Sequence, residues 1–480
     1  MRRNLKTALH KLGAAFAALA VALSLAPTMA LATPTSSTDV NDSTVTITGL
    51  LDGDTVSAYL IADADIDDAN NLTYTMAGNL PAAYDTIAEL DAIVSDGTSF
   101  TQNSAMQNAA AAIAKSFSDA GVATAATVTA NGGTSASLEL GSGYYLIRVT
   151  STNGETRVYQ NMVIDVSPEA NDQGTYSPHA AQSVGVKMTE VTITKTVGAN
   201  YTESTDQYSV GDEVPFRIVT AIPNYPADST NATFVITDTP SAGLEIVADS
   251  IQINGEDAVS GAAYTITAAA GGYTITYSKD YILAHPGESI TVTYKAKLTS
   301  AAFSHAADDV TGNTATVTFN PNPYSDGTVT PGDDTTVQTY GYVFKKVDAE
   351  GNALAGATFT ITLANGTKVT STSNAQGYVW FEDLAAGTYT AVETTVPAGH
   401  LQAPDQTFTL SATTANADNP ATTETENNYL VAVANVIDPD QPTLPTTGGA
   451  GTLVITAAGV VLLAVGGIVL FRAQKRQHER

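Results

Sequence analysis

The chain of 480 residues contains no cysteine. That single absence removes disulfides, thiolate zinc sites and cysteine nucleophiles together. There is one tryptophan, and the six histidines fall at no metal-ligand spacing. Basic residues are scarce, 20 Lys and Arg against 48 Asp and Glu, for a formal net charge of -28. Eight of those 20 lie at the two ends: Arg2, Arg3, Lys6 and Lys11 before Thr33, and Arg472, Lys475, Arg476 and Arg480 after Gly448. The stretch between keeps 12 of the 20 basic residues and 47 of the 48 acidic ones, a formal -35. A surface of that sign repels nucleic acid and anionic membranes. No phosphate-binding glycine loop, nucleophile elbow or nucleic-acid motif occurs, so no enzyme, cofactor or metal is expected.

What the chain does have is threonine, valine, alanine, glycine and tyrosine in short alternating runs, the composition of β-rich domains with many turns. Its length exceeds one core and suggests about three domains. Both ends read as addresses. Residues 1–32 combine a basic start, an apolar run from Leu12 to Leu25 and small residues at Ala30 and Ala32, a signal peptide with cleavage expected between Ala32 and Thr33. At the other end, Thr452 to Phe471 is uncharged and long enough to span a bilayer, with a basic tail behind it. Directly ahead stands "LPTTG", Leu444, Pro445, Thr446, Thr447 and Gly448. This 441–480 segment resembles the cell-wall sorting signal of Gram-positive surface proteins. The resemblance implies that a sortase cleaves between Thr447 and Gly448 and passes the Thr447 acyl group to an amine, with this chain as substrate.

Between the ends, three regions follow. Residues 33–185 alternate as strands around two helical stretches, "YDTIAELDAIVSD" and "QNSAMQNAAAAIAKSFSDAG", the second ending at Gly121. Residues 186–323 are short strands separated by turns, the pattern of an antiparallel sandwich. Residues 324–440 carry Lys346-x-Asp348, Leu354-x-Gly356-Ala357 and Gly387-x-Tyr389-x-x-x-Glu393-Thr394. That set resembles the collagen-adhesin B-type domain of Gram-positive pilins, and the whole order resembles a sortase-assembled major (backbone) pilin. The expected fold is mainly β: tandem immunoglobulin-like antiparallel sandwiches, the first with a helical insertion.

Strand parity then singles out charged residues on apolar faces. In "EVTITKTV", Lys195 shares a face with Val191, Ile193 and Val197. Asp238 follows Phe234 and Ile236, and Asn313 precedes Ala315, Val317 and Phe319. In the third region Lys346 follows Tyr342 and Phe344, Glu393 follows Tyr389 and Ala391, and Asn435 follows Tyr429, Val431 and Val433. Lysine, carboxylate and asparagine come in the same order twice. Burial favours a neutral amine and a protonated acid, and an amine held beside an amide carbon can displace ammonia. Pilins that this chain resembles make such intramolecular isopeptide bonds. The resemblance implies Lys195 to Asn313 with Asp238, and Lys346 to Asn435 with Glu393, at the loss of two ammonias. Glu245 and Glu256 are alternative carboxylates for the second region, and Lys345 is an alternative lysine for the third, where Val343 and Val347 weaken the parity argument. The opening strand "STVTITGL" has no lysine, so no such bond is expected in the first region.

A backbone pilin also needs a lysine to receive the next subunit's Thr447. In the resembling family it stands in a Tyr-Pro-Lys-Asn motif. Here the matching stretch "VIDVSPEAN" has Ser167 for the tyrosine and Glu169 for the lysine, so the motif is broken. Lys187 is the nearest substitute. The acidic stretch 63–71, "DADIDDANN", has Asp68 where a calcium loop needs glycine and Tyr74 where it needs glutamate, and reads as a solvated loop. Two readings remain open. One is the shaft subunit of a covalent pilus, joined head-to-tail to identical subunits by a pilin sortase, beside other pilins, and fixed to peptidoglycan by a housekeeping sortase. The other is a monomeric or tip adhesin binding a host surface ligand.

Overall fold

A computed structural model describes residues 42–442, apart from 68, 95–103, 152–155, 173, 203–206, 270, 304–310 and 423–427. The signal peptide with Ala32 and Thr33, the LPTTG motif and the apolar stretch 452–471 lie outside the described residues. Among the described residues no helix is long and apolar enough to cross a membrane.

The first β-region is built on two sheets. One places Ser43–Thr48 between Gln182–Gly185 and Ser135–Leu140. The other runs Leu72–Met76, Thr55–Ile66, Gly143–Thr150, Met162–Asp165, with Ala126–Thr129 added to the second of these. Buried Val45, Ile47, Val56, Ile147 and Ile164 fill the space between them. The helical stretch yields a short helix, Ile87–Asp91, and a longer one, Ala105–Ala120. The longer helix starts where Ser104 accepts from the Gln107 N–H and stops at Gly121, whose φ of 63° takes the left-handed turn a side chain resists. Its Ala109, Ile113 and Phe117 cover the outer face of the second sheet.

The second region is a sandwich of two antiparallel sheets. One contains Ile193–Val197, Glu213–Ala221 and Ser289–Leu298; the other contains Gly272–Tyr277, Phe234–Pro240, Thr311–Phe319 and Gly332–Val337. The strand Gly332–Val337 extends this sheet past residue 323. Its residues "GDDTTV" have only Val337 as a large apolar side chain, too little apolar content to read as a strand, yet pairing with Thr311–Thr316 satisfies their backbone. Likewise Met188–Glu190 pairs with Arg157–Tyr159 of the first region, beyond residue 185.

In the third region, Tyr340–Val347 lies between Tyr378–Leu384 and the parallel Tyr429–Val431, and the other sheet runs Lys368–Thr372, Thr358–Thr362, Gly387–Thr395, Gln406–Leu410. Neighbouring regions are tied by specific contacts. Arg148 pairs with buried Asp228 at 2.6 Å and stacks on the Tyr324 ring at 4.2 Å. Between the second and third regions Phe303 packs on Tyr429 at 5.0 Å, the Val210 N–H donates to Asp383 O at 2.9 Å, and the Ala385 N–H donates to Ser209 Oγ at 2.9 Å.

Candidate functional site

Lys195 sits on the opening strand of the second sandwich with its side chain in the core, 2% exposed. Asp238 and Asn313 come from the facing sheet, both 0% exposed. They are neighbours because Phe234–Pro240 pairs with Thr311–Phe319 in a register that sets Asp238 opposite Ala315 and Pro240 opposite Asn313. Lys195 Nζ donates to Asp238 Oδ2 at 2.7 Å and Oδ1 at 3.2 Å. Burial pushes the Lys195 amine down and the Asp238 carboxyl up, and their mutual attraction opposes both shifts. Isolating such a pair from water costs several kcal/mol per ion, so the cluster is poor ground for stability and good ground for chemistry. Glu245 and Glu256 are both exposed, which leaves Asp238 as the carboxylate of this site.

Sequence reasoning missed a fourth member. Tyr294, on Ser289–Leu298, is 2% exposed and its hydroxyl reaches all three residues. It accepts from Lys195 Nζ at 2.8 Å and from Asn313 Nδ2 at 2.9 Å, and donates to Asp238. Its position was legible: Ile290, Val292, Tyr294, Ala296 and Leu298 form one buried face, and a buried tyrosine hydroxyl requires a partner. Asn313 Oδ1 is buried with no donor.

The third region differs from expectation at one residue. Lys346 is fully buried, 0% exposed, while Lys345 is half-buried with its ammonium 5.8 Å from the Tyr378 ring centre. Glu393 is 3% exposed and faces the same core from the other sheet. Asn435, however, is exposed and does not join them. The strand breaks: Tyr429–Val431 ends, residues 432–435 bend outward with Val433 fully exposed, and Val436–Ile437 resumes beside Lys346 and Val347. Alternation holds only along unbroken strand, so the inward face restarts on Val436 and Asp438. Asp438 is 0% exposed, and Oδ1 lies 2.5 Å from Lys346 Nζ. Lys346 also donates to Val436 O at 3.4 Å.

Glu393 is anchored by the Ala403 N–H, which donates to Oε2 at 2.7 Å. Burial raises its pKa, and the adjacent Asp438 raises it further. Glu393 Oε1 and both Asp438 oxygens are buried acceptors without a conventional donor besides the lysine. A buried amine against one carboxyl, with a second carboxyl beside it to carry protons, is an arrangement that can form an amide with loss of water.

Elsewhere, Lys187 is only 7% exposed, in the chain between Gln182–Gly185 and Met188–Glu190, and its carbonyl accepts from the Gln160 N–H at 2.7 Å. Gln160 in turn donates to Asn224 O of the second region, so Lys187 lies at the seam between the two. Asp67 in the acidic stretch accepts from the Asn71 and Ala69 N–H groups at 2.8 and 2.9 Å; these bonds hold its pKa down and commit the carboxylate to its own loop.

Residues 341–427, which hold Lys346 and Glu393, match the SpaA family of prealbumin-like fold domains. The third region is a SpaA-type prealbumin-like domain. Residues 438–478 match the LPXTG cell wall anchor motif, so the chain is a cell-wall-anchored surface protein. The SpaA match stops at residue 427 and the anchor match starts at 438, so Asp438 is the first residue of the anchor match. No curated protein matches the chain in sequence. In fold, the chain is similar to the T6 backbone pilin of serotype M6 Streptococcus pyogenes, with TM-score 0.61 and 16% identity over 84% of this chain and 99% of that one. The full-length major pilin SpaD from Corynebacterium diphtheriae aligns with TM-score 0.49 and 17% identity over 84% of this chain and 98% of that one.

Proposed function

We propose that this chain is the structural subunit of a covalently polymerised, wall-anchored pilus shaft, and that two internal amide crosslinks make it resistant to tension. The observation that carries the reading is the repetition of a buried lysine–carboxyl cluster in consecutive sandwiches ahead of a cell wall anchor motif. The shared fold with a backbone pilin over 99% of that chain supports it. In the second region Lys195 Nζ attacks Asn313 Cγ and ammonia leaves. In the third, Lys346 Nζ attacks the Asp438 carboxyl carbon, water leaves, and Glu393 carries the protons. Asp438 takes the place assigned from parity to Asn435. Each reaction occurs once per molecule and is maturation, not turnover.

Crosslinking replaces a costly buried ion pair by a neutral amide. It also redirects load. In the third region the first strand and Val436–Ile437 are parallel neighbours, so pulling the chain ends would shear their hydrogen bonds. A Lys346–Asp438 bond carries that load covalently and shields residues 347–437. A Lys195–Asn313 bond shields residues 196–312 in the same way.

Head-to-tail joining uses the Thr447 acyl group and a lysine of the next subunit, with Lys187 as the candidate amine. Its burial means that the seam opens locally for transfer. That same burial, with the broken Tyr-Pro-Lys-Asn motif, favours the second reading, a wall-anchored monomeric adhesin. Immunoblots of wall extracts decide between them. A ladder resistant to boiling in detergent, lost in Lys187→Ala, supports the shaft and its amine. A ladder that survives that substitution keeps the shaft and moves the joining point to an exposed lysine. A single wall-linked band overturns the shaft.

A further inference from the structure

The second-region cluster contains a residue that the crosslinking scheme does not use, and its placement is specific. The Tyr294 hydroxyl lies 2.8 Å from the attacking nitrogen, Lys195 Nζ, and 2.9 Å from the departing nitrogen, Asn313 Nδ2, while it donates to the Asp238 carboxyl. Its ring is fixed by stacking on Phe216, 5.5 Å between centres at 15°, and by an edge contact from Tyr273 at 5.2 Å and 82°. The oxygen therefore cannot drift from this position without repacking the core.

An amide nitrogen is a poor leaving group until it is protonated, and at a site closed to bulk solvent a neighbouring side chain is the direct proton source. Asp238 holds Lys195 and also interacts with the Asn313 side chain, while the phenol lies within 2.9 Å of Nδ2 itself. We propose that Tyr294 is a catalytic residue of the second-region crosslink, relaying a proton from Asp238 to the departing nitrogen of Asn313. The inference rests on the crosslink reading above.

The step balances. Neutral Lys195 Nζ forms a bond to Asn313 Cγ, and the Cγ–Nδ2 bond breaks. The proton released by Nζ goes to Asp238, the Asp238 proton goes to the Tyr294 oxygen, and the Tyr294 proton goes to Nδ2, which leaves as ammonia. Asp238 and Tyr294 end as they began. Once Nζ has added to Cγ, Nδ2 becomes an amine that can accept, and the phenol hydrogen turns from Asp238 to it by rotation about one C–O bond. The third region needs no such relay. There the leaving group is a carboxyl oxygen of Asp438, and Glu393 lies against that carboxyl directly.

The test follows intact mass with time in cell-free synthesised full chain. Wild type should lose one ammonia and one water. Tyr294→Phe should still lose the water, while its ammonia loss slows at least tenfold or stops. A second variant carries 3,5-difluorotyrosine at position 294, which keeps ring and hydroxyl but makes the phenol more acidic. It should form the bond at a changed rate with a shifted pH profile, an effect that a purely structural hydroxyl would not produce. Ammonia loss at the wild-type rate in both variants overturns the relay and leaves the crosslink standing. A wild type that loses no ammonia overturns the second-region crosslink itself, and the relay with it.

Discussion

Replacing Asp438 or Asn435 by alanine, one at a time, separates the two assignments of the third-region bond. Wild type should weigh less than its mature sequence by one ammonia and one water, where Asn435 as partner would require two ammonias. Asp438→Ala should regain the water and keep the ammonia deficit, and Asn435→Ala should change neither. Asp438→Asn is the conservative control, because the same amide can form with ammonia as the product lost. The stability effect follows from the loop that the bond closes. Lys346 and Asp438 bracket about 90 residues, and closing a loop of that size lowers unfolded-chain entropy by about 5 kcal/mol if the disulfide relation transfers. For a domain of about 100 residues, that corresponds to a melting temperature lower by roughly 20–40 °C in Asp438→Ala, seen by calorimetry. Under force the difference is one of length. A crosslinked third region should not extend, whereas Asp438→Ala should release about 300 Å, taking about 3.4 Å per residue. Asp438→Ala that retains the water deficit, or Asn435→Ala that abolishes it, would refute the assignment.

Three further outcomes are expected. Lys346→Ala should abolish the water loss, while Lys345→Ala, removing a half-buried ammonium over Tyr378, should leave both mass deficits intact and shift stability by no more than about 0.5 kcal/mol. Gly272→Ala would place a Cβ 2.0 Å from Asp238 O and 2.8 Å from Pro240 Cδ, so the strand bearing Asp238 must move; the second region should lose about 1–3 kcal/mol by denaturant titration and its ammonia loss should slow. Burial raises the Asp228 pKa above 3.8 despite Arg148, so the folded chain binds more protons there than the unfolded one; this group's contribution to stability falls as pH rises from 3.8 through the folded value, and Asp228→Asn should flatten that part of the melting profile.

The sequence by itself determined most of the strands and that lysines enter the cores of the second and third regions. Alternation of threonine with valine, isoleucine and phenylalanine puts Lys195, Asp238, Asn313 and Glu393 on buried faces, where the structure has them, while between Lys345 and Lys346 it left both lysines open and burial selects Lys346. The anchor was equally legible, because a sorting signal is a linear pattern and needs no fold to be read. Tertiary structure decided the rest. Nothing local announces the break after Val431, and that break turns Asn435 outward and Asp438 inward. Nothing local sets the Tyr294 hydroxyl between Lys195 and Asn313, which lie 118 positions apart on facing sheets. Nor does "GDDTTV" reveal that it completes the second sandwich. The physical reason is common to all three. Alternation reports which side of one continuous strand is apolar, while continuity, register and distance across the sandwich are fixed only when the two sheets pack together.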